Sequence, residues 1–238
     1  MIKFLIWFIM KNKCLIIGIK SSLGIEIEKV FRKSNYDVIG TSRDFKNSMN
    51  PEEIFLDFED TDSLDKLFKN LHNVDCIIFC SGILKGKELQ EYKDNEIINV
   101  FQSNIIGPIM ILNRIIDKLD KKCSILFIGS IAGSAGSYDE IYASAKSAIY
   151  GFVKSLAKKS KDSIRINCIS PGLIENSSMI EKFSDSEIEN HIKQTPTNKL
   201  NKIEHLAKVC FDISQNEWSQ LNGQIIDING GRYVWDLR

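Results

Sequence analysis

Tyr142 and Lys146 stand four residues apart in Ile141-Tyr-Ala-Ser-Ala-Lys-Ser-Ala148. In a helix that spacing places both side chains on one face, one above the other. A tyrosine hydroxyl has a pKa of about 10, too high for ready proton exchange at neutral pH, and a fixed ammonium beside it is expected to lower that value by favouring the phenolate. Tyr142 is therefore a candidate general acid or base. Ser130, twelve residues earlier at the end of an apolar run, is placed to hydrogen-bond the reacting oxygen. A Tyr and a Lys at this spacing also occur on ordinary solvated faces, so the surrounding elements decide between the two readings.

Those elements are a short buried strand over Ile125–Ile128, a turn of small residues carrying Ser130, Gly133 and Gly136, and a helix from about Tyr142 to Lys159. Near the start, the apolar run Cys14–Gly18 passes through Ile19-Lys20-Ser21-Ser22-Leu23-Gly24 into a helix with apolar positions at Ile27, Val30 and Phe31. A small-residue turn between strand and helix lets backbone approach a phosphate at the helix N-terminus. The next strand, Asp37–Thr41, ends at Ser42-Arg43. An acidic side chain there takes the 2′-hydroxyl of NAD, whereas an arginine takes the 2′-phosphate of NADP, so this chain is expected to prefer NADP(H), with Lys20 adding a second positive contact and Asp44 opposing it.

The run Ile128-Gly-Ser-Ile-Ala-Gly133, followed at Tyr142 by Y-x-x-x-K, resembles the active-site segment of the short-chain dehydrogenase/reductase family. The resemblance extends over about residues 12–231. Gly18 and Gly24 match the first and third glycines of the family's G-x-x-x-G-x-G turn, with Ser22 at the second. It implies that Asp57 and Phe58, at the end of a strand over Ile54–Phe58, meet the adenine. Cys80-Ser81-Gly82, after a strand over Val74–Cys80, stands where the family has N-A-G, with Phe79 and Cys80 in place of its two asparagines. Asn104, within a long helical pattern over Asp94–Leu119, falls at the asparagine that bends this helix and holds a water serving the lysine. Pro171, Gly172 and Ile174 border the nicotinamide, and a contact normally made by a threonine passes to Asn176 or Ser177 or is lost. Leu173–Leu200 looks like a substrate lid. Leu221–Gly231 resembles the family's last strand and terminal glycine pair.

The fold implied is a Rossmann-type doubly wound α/β domain with a parallel sheet of about seven strands and helices on both faces, over residues 12–238. The function implied is NADPH-linked reduction of a small-molecule carbonyl to an alcohol, with Asn104, Ser130, Tyr142 and Lys146 as the catalytic set. A 3-oxoacyl thioester, a keto sugar or nucleotide sugar and a steroid-like ketone all suit it. The rival is a non-catalytic NAD(P)-binding regulator or sensor on the same fold.

Composition narrows the rest. Lys+Arg and Asp+Glu both number 31, with no single-sign block, which gives no footprint for nucleic acid. The six cysteines lack C-x-x-C spacing and the three histidines lack ligand spacing, so reduced core thiols and no metal are expected in a cytoplasmic protein. Residues 1–11 open with the apolar MIKFLIWFIM, shorter than the about 20 residues of a membrane span. An upstream start, packing on the body and a peripheral contact remain open for it, the first two favoured. Surplus apolar positions on the helices over Asp94–Leu119 and Tyr142–Lys159, which relatives use for assembly, imply a homodimer or homotetramer.

Overall fold

Within the strands, Cys14–Ile17, Cys76–Phe79 and Ile125–Ile128 are apolar runs without polar alternation, the pattern of a sheet covered by helices on both faces. The computed structural model describes residues 11–233 apart from 70, 72, 120, 121 and 161–163, so the extension expected at the N-terminus lies outside the described residues but for Lys11. Seven strands pair in parallel: β1 (Lys13–Ile17), β2 (Asp37–Ser42), β3 (Glu53–Phe55), β4 (Cys76–Phe79), β5 (Ser124–Ile128), β6 (Arg165–Pro171) and β7 (Ile225–Ile228). Their order, β3-β2-β1-β4-β5-β6-β7, reverses direction between β1 and β4. At that switch point the connections leave on opposite faces and open a crevice at the carboxyl ends of the strands. The expected doubly wound α/β sheet is what forms.

The helices are α1 (Ser22–Lys33), α2 (Thr61–Lys69), α3 (Asp94–Phe101), α4 (Gly107–Ile115), α5 (Ala132–Ala135), α6 (Glu140–Ala157), α7 (Asp185–Lys193) and α8 (Ile203–Ser214). Alternate strand residues point to opposite faces, and two cores follow. Leu15, Ile17, Ile77, Phe79, Ile125 and Phe127 share one with Leu64 and Leu67 of α2, Ile111 of α4 and Ile149 of α6. Cys14, Ile16, Cys76, Ile78, Leu126 and Ile128 share the other with Ile27 of α1 and Leu206 of α8. All six cysteines are free thiols, five of them buried, with Cys80 half-buried. Phe79, at a family asparagine position, stacks on Phe127 with ring centroids 4.6 Å apart.

Three expected elements are shorter or interrupted. The strand placed over Ile54–Phe58 closes at Phe55, where Asp57 N donates to Ser63 Oγ (3.0 Å) and that hydroxyl lies 2.7 Å from Asp60 O, bending the chain into the start of α2. The strand placed over Val74–Cys80 pairs only over Cys76–Phe79. The helix placed over Asp94–Leu119 is broken by a π-turn over Gln102–Ile106. Asn104 Nδ2 donates to Val100 O at 2.9 Å, taking the carbonyl its own amide would use, and Pro108 has no N–H for Asn104 O. Both remove i→i−4 bonds at one point, which is how such bulges arise.

Candidate active site

Helix α6 is fixed at its first turn by Asp139. This fully buried N-cap carboxylate accepts from Tyr142 N (2.8 Å), from Gly86 N (2.9 Å) and from the Tyr92 hydroxyl (2.8 Å), tying α6 to the loop after β4. From this anchor Tyr142, Lys146 and Tyr150 form one stripe along the helix, four residues apart, facing the end of β5. Tyr142 is 6% exposed, with its hydroxyl in hydrogen-bonding reach of Ser130 and 3.9 Å from Met179 Sδ. Lys146 donates from Nζ to Ile128 O at 2.8 Å, and this nitrogen lies 5.6 Å from the Tyr142 ring centroid. Tyr150, which the sequence reading passed over, accepts from Ser130 N (3.3 Å), donates to Ser130 O and lies 2.8 Å from Ser170 Oγ. It holds the backbone of the serine that faces Tyr142. The only signal for it in the sequence was its place on that stripe.

Electrostatics correct one expectation. Burial pushes the Tyr142 hydroxyl up to about 12, with the hydrogen bond from Ser130 lowering it and the Asp139 charge raising it further. Burial also pulls Lys146 down to about 8. The ammonium was expected to lower the phenol. The phenol is raised instead, because its own burial is the largest influence on it, while the Lys146 ammonium is turned toward Ile128 O.

Asn104, 1% exposed, donates from Nδ2 to Ile83 O (2.9 Å) and Val100 O, while its Oδ1 is buried with no partner. Gly82 shows where that oxygen points. A Cβ there would lie 2.7 Å from Asn104 Oδ1 and 3.4 Å from Lys146 Nζ. Only a glycine at 82 leaves room for this close approach, which brings an unsatisfied acceptor and the Lys146 amine to the same point.

Two clefts meet here. One, of about 350 Å³, is lined by Ser130, Tyr142 and Lys146, by Pro171, Gly172 and Ile174, and by Leu84, Met179 and Phe183. The second, of about 290 Å³, runs over Gly18 and Lys20, past Ser42, Arg43 and Asp44, to Asp57 and Phe58. Ser21, Cys80, Ser81 and Gly82 border both, so the two form one trough along the carboxyl ends of β1, β2, β4 and β5. Its floor is kept low at Gly18, which has φ 84° and where a Cβ would meet Ser81 N at 2.9 Å. Beyond it α1 presents its N-terminus, with Ser21 capping through Oγ accepting from Gly24 N (3.0 Å). A trough with a glycine floor, a helix N-terminus midway and free cations at one end suits a dinucleotide.

The cofactor-end residues fall as follows. Arg43 is exposed and forms no ion pair with Asp44 among the described residues, while the Ser42 hydroxyl accepts from Asp44 N at 3.1 Å. Lys20 Nζ lies 5.1 Å over the Phe45 ring. Leu23 and Ser22 border the apolar cleft, and Ser22 Oγ accepts from Ser178 N at 3.1 Å. The serine in the second glycine position thus ties the phosphate turn to the segment after β6. Ser177 lines the cleft but donates its hydroxyl to Ile174 O (2.9 Å), and Asn176, at φ 57°, is outside the lining. Among the described residues there is no group of side chains that could hold a metal, and no helix long and apolar enough to cross a membrane.

Comparison with known proteins agrees with this geometry. A family model described as enoyl-(acyl carrier protein) reductase matches residues 18–232. A 3-oxoacyl-(acyl-carrier-protein) reductase of Buchnera aphidicola is 31% identical, over 94% of this chain and 98% of the relative. Among solved structures, a short-chain glucose/ribitol dehydrogenase from Brucella melitensis superposes with a TM-score of 0.85 at 22% identity, covering 94% of this chain and 97% of that one. ElxO with NADP bound superposes with a TM-score of 0.78 at 24% identity, covering 94% and 99%.

Proposed function

Because the chain belongs to the short-chain dehydrogenase/reductase family of NAD(P)-linked oxidoreductases, we propose that it reduces the keto group of a 3-oxoacyl thioester with NADPH, Tyr142 supplying the proton. The observation that carries this reading is the meeting of Ser130, Tyr142 and Lys146 where the apolar cleft joins the polar trough. The thioester is preferred to a sugar because the cleft wall is apolar at Leu84, Ile131, Met179 and Phe183, and because the relative at 31% identity is named for that substrate.

In this reading the trough holds the dinucleotide. Asp57 and Phe58 lie at the adenine and Lys20, Ser42 and Arg43 at the 2′-phosphate. Gly18, Ser21, Ser22, Leu23 and Gly24 lie at the pyrophosphate, Cys80, Ser81 and Gly82 beside the ribose, and Pro171, Gly172 and Ile174 at the nicotinamide. When bound, NADPH supplies the hydride. Tyr142, a protonated phenol at neutral pH given its value of about 12, donates to the carbonyl oxygen as negative charge develops there, and Ser130 holds the same oxygen. Lys146 binds the ribose and keeps a positive charge behind the phenol. Asn104 Oδ1, the unpartnered acceptor beside Lys146, anchors the path by which the proton is replaced. The segment 173–200 acts as the lid of a single domain over 12–238. Ile98, 65% exposed on α3, and Ile106 after it belong to the face through which copies assemble.

The test follows NADPH absorbance with the purified chain and acetoacetyl-pantetheine, a 3-oxoacyl thioester, beside keto-sugar controls. Consumption with the thioester above that with the sugars is expected. Turnover of the sugars alone would overturn the substrate class, and no consumption with either would overturn the reductase reading.

A further inference from the structure

One end of the substrate cleft carries a charge that the proton transfer does not use. No aspartate or glutamate lines this cleft, and its lysine and arginine side chains are Lys146 and Arg232. Lys146 is buried against Ile128 O. Arg232 is half-exposed and is gripped from behind. Nη1 donates to His191 O and Nη2 to Gln194 Oε1, both at 2.7 Å, and Nε donates to the Tyr233 hydroxyl at 3.2 Å. Those bonds fix the guanidinium against the end of α7, and the turn that delivers it is closed by Gly231 N donating to Asn229 Oδ1 (3.0 Å). A guanidinium has five N–H groups, so two stay unused. No carboxylate among the described residues pairs with it, whereas Arg32 and Arg114 each have such a partner. His191 adds no second charge, since burial and the Arg232 cation push it down to about 4.

An oriented arginine with spare donors, in a cleft without acidic groups, is built for an oxyanion. We propose that Arg232 receives a carboxylate or phosphate carried by the carbonyl substrate, which is therefore an anionic oxo compound with an apolar stretch between the reacting carbon and the charged end. The identity of the molecule carrying the anion rests on the reductase reading, whereas the anion site itself does not.

Binding and turnover separate the two. Oxo carboxylates from 3-oxobutanoate to 6-oxoheptanoate, their methyl esters, and dihydroxyacetone phosphate as the phosphate probe are titrated by calorimetry into the full chain saturated with NADP⁺. At least one anion should bind about ten- to a hundredfold tighter than its uncharged counterpart, the size of a charge-assisted hydrogen-bond pair. Arg232→Leu should erase that preference with ester affinity unchanged, and Arg232→Lys should keep part of it. Whether carboxylate or phosphate gains more assigns the natural group. Equal binding of anions and esters in the unmodified chain, or a preference that survives Arg232→Leu, overturns the site. NADPH consumption is read separately. Anion-selective binding without turnover of any of these compounds or of acetoacetyl-pantetheine sinks the reductase reading and keeps the site; turnover without selective binding does the reverse.

Discussion

Lys146→Met should make the protein more stable and inactive, and the gain should depend on pH. The buried ammonium is held down from 10.5 to about 8, which corresponds to about 3 kcal/mol of charge desolvation at neutral pH. A methionine of similar length removes that cost but leaves Ile128 O without its 2.8 Å donor, a loss of about 1 kcal/mol. The net gain at pH 7 is about 2 kcal/mol. The sign follows from linkage. Between about 8 and 10.5 the unfolded chain holds the lysine proton and the folded chain does not, so the unmodified protein gains stability as pH rises through that window. Below about 8 the lysine is charged in both states and the gap between the proteins is constant. Near pH 10 the remaining penalty is under about 1 kcal/mol and the two proteins should be equally stable. Urea unfolding at pH 7 and pH 10 measures this. A methionine variant no more stable than its parent at pH 7, or a gap that does not close by pH 10, refutes the account of a desolvated ammonium.

Tyr142→Phe should lower kcat by about 10² to 10⁴ with NADPH affinity within twofold, since only the transferable proton is removed; retention of more than a tenth of the rate by steady-state assay would disprove its role. Ser42→Asp with Arg43→Ala should reverse the order of NADPH and NADH affinity. The unmodified chain should favour NADPH by about ten- to a hundredfold, the value of one charge-assisted bond to the 2′-phosphate, and equal binding by fluorescence titration would show that Asp44 offsets Arg43. Ser22→Gly should raise the exchange rate of the Ser178 amide several-fold by removing its 3.1 Å acceptor, about 1 kcal/mol of local protection, and unchanged exchange would mean the lid is held elsewhere. The native mass should be that of a dimer or tetramer by light scattering at micromolar concentration, and Ile98→Asp should reduce it; a monomer without the substitution removes the assembly proposal.

The stretches that could be read from the sequence were those where local chemistry and fold coincide. The apolar runs at Cys14, Cys76 and Ile125 are strands because a covered parallel sheet accepts no polar alternation. The pair at Tyr142 and Lys146 shares a face because of helical period alone. Other features depended on partners distant in the chain. The π-turn at Asn104 needs both the side chain's bond to Val100 O and the missing N–H of Pro108. Asp139 is one acidic residue among 31 carboxylates until Gly86, Tyr92 and Tyr142 converge on it from separate segments. Arg232 follows the glycine pair closely in sequence, yet its position against His191 and Gln194 arises only when α7 folds back beside it.

The pKa values also bear on the proton transfer. Reduction needs a proton on Tyr142, and a hydroxyl held at about 12 carries one in essentially every molecule at neutral pH. Lys146, at about 8, is still mostly charged under those conditions and loses its charge only as pH rises further. The two residues were first paired because a cation should bring a phenol toward neutrality. Burial instead moves them apart, the phenol up and the ammonium down, which fits the proposed role of Tyr142 as proton donor. With Tyr142 only 6% exposed, desolvation is the largest influence on its hydroxyl.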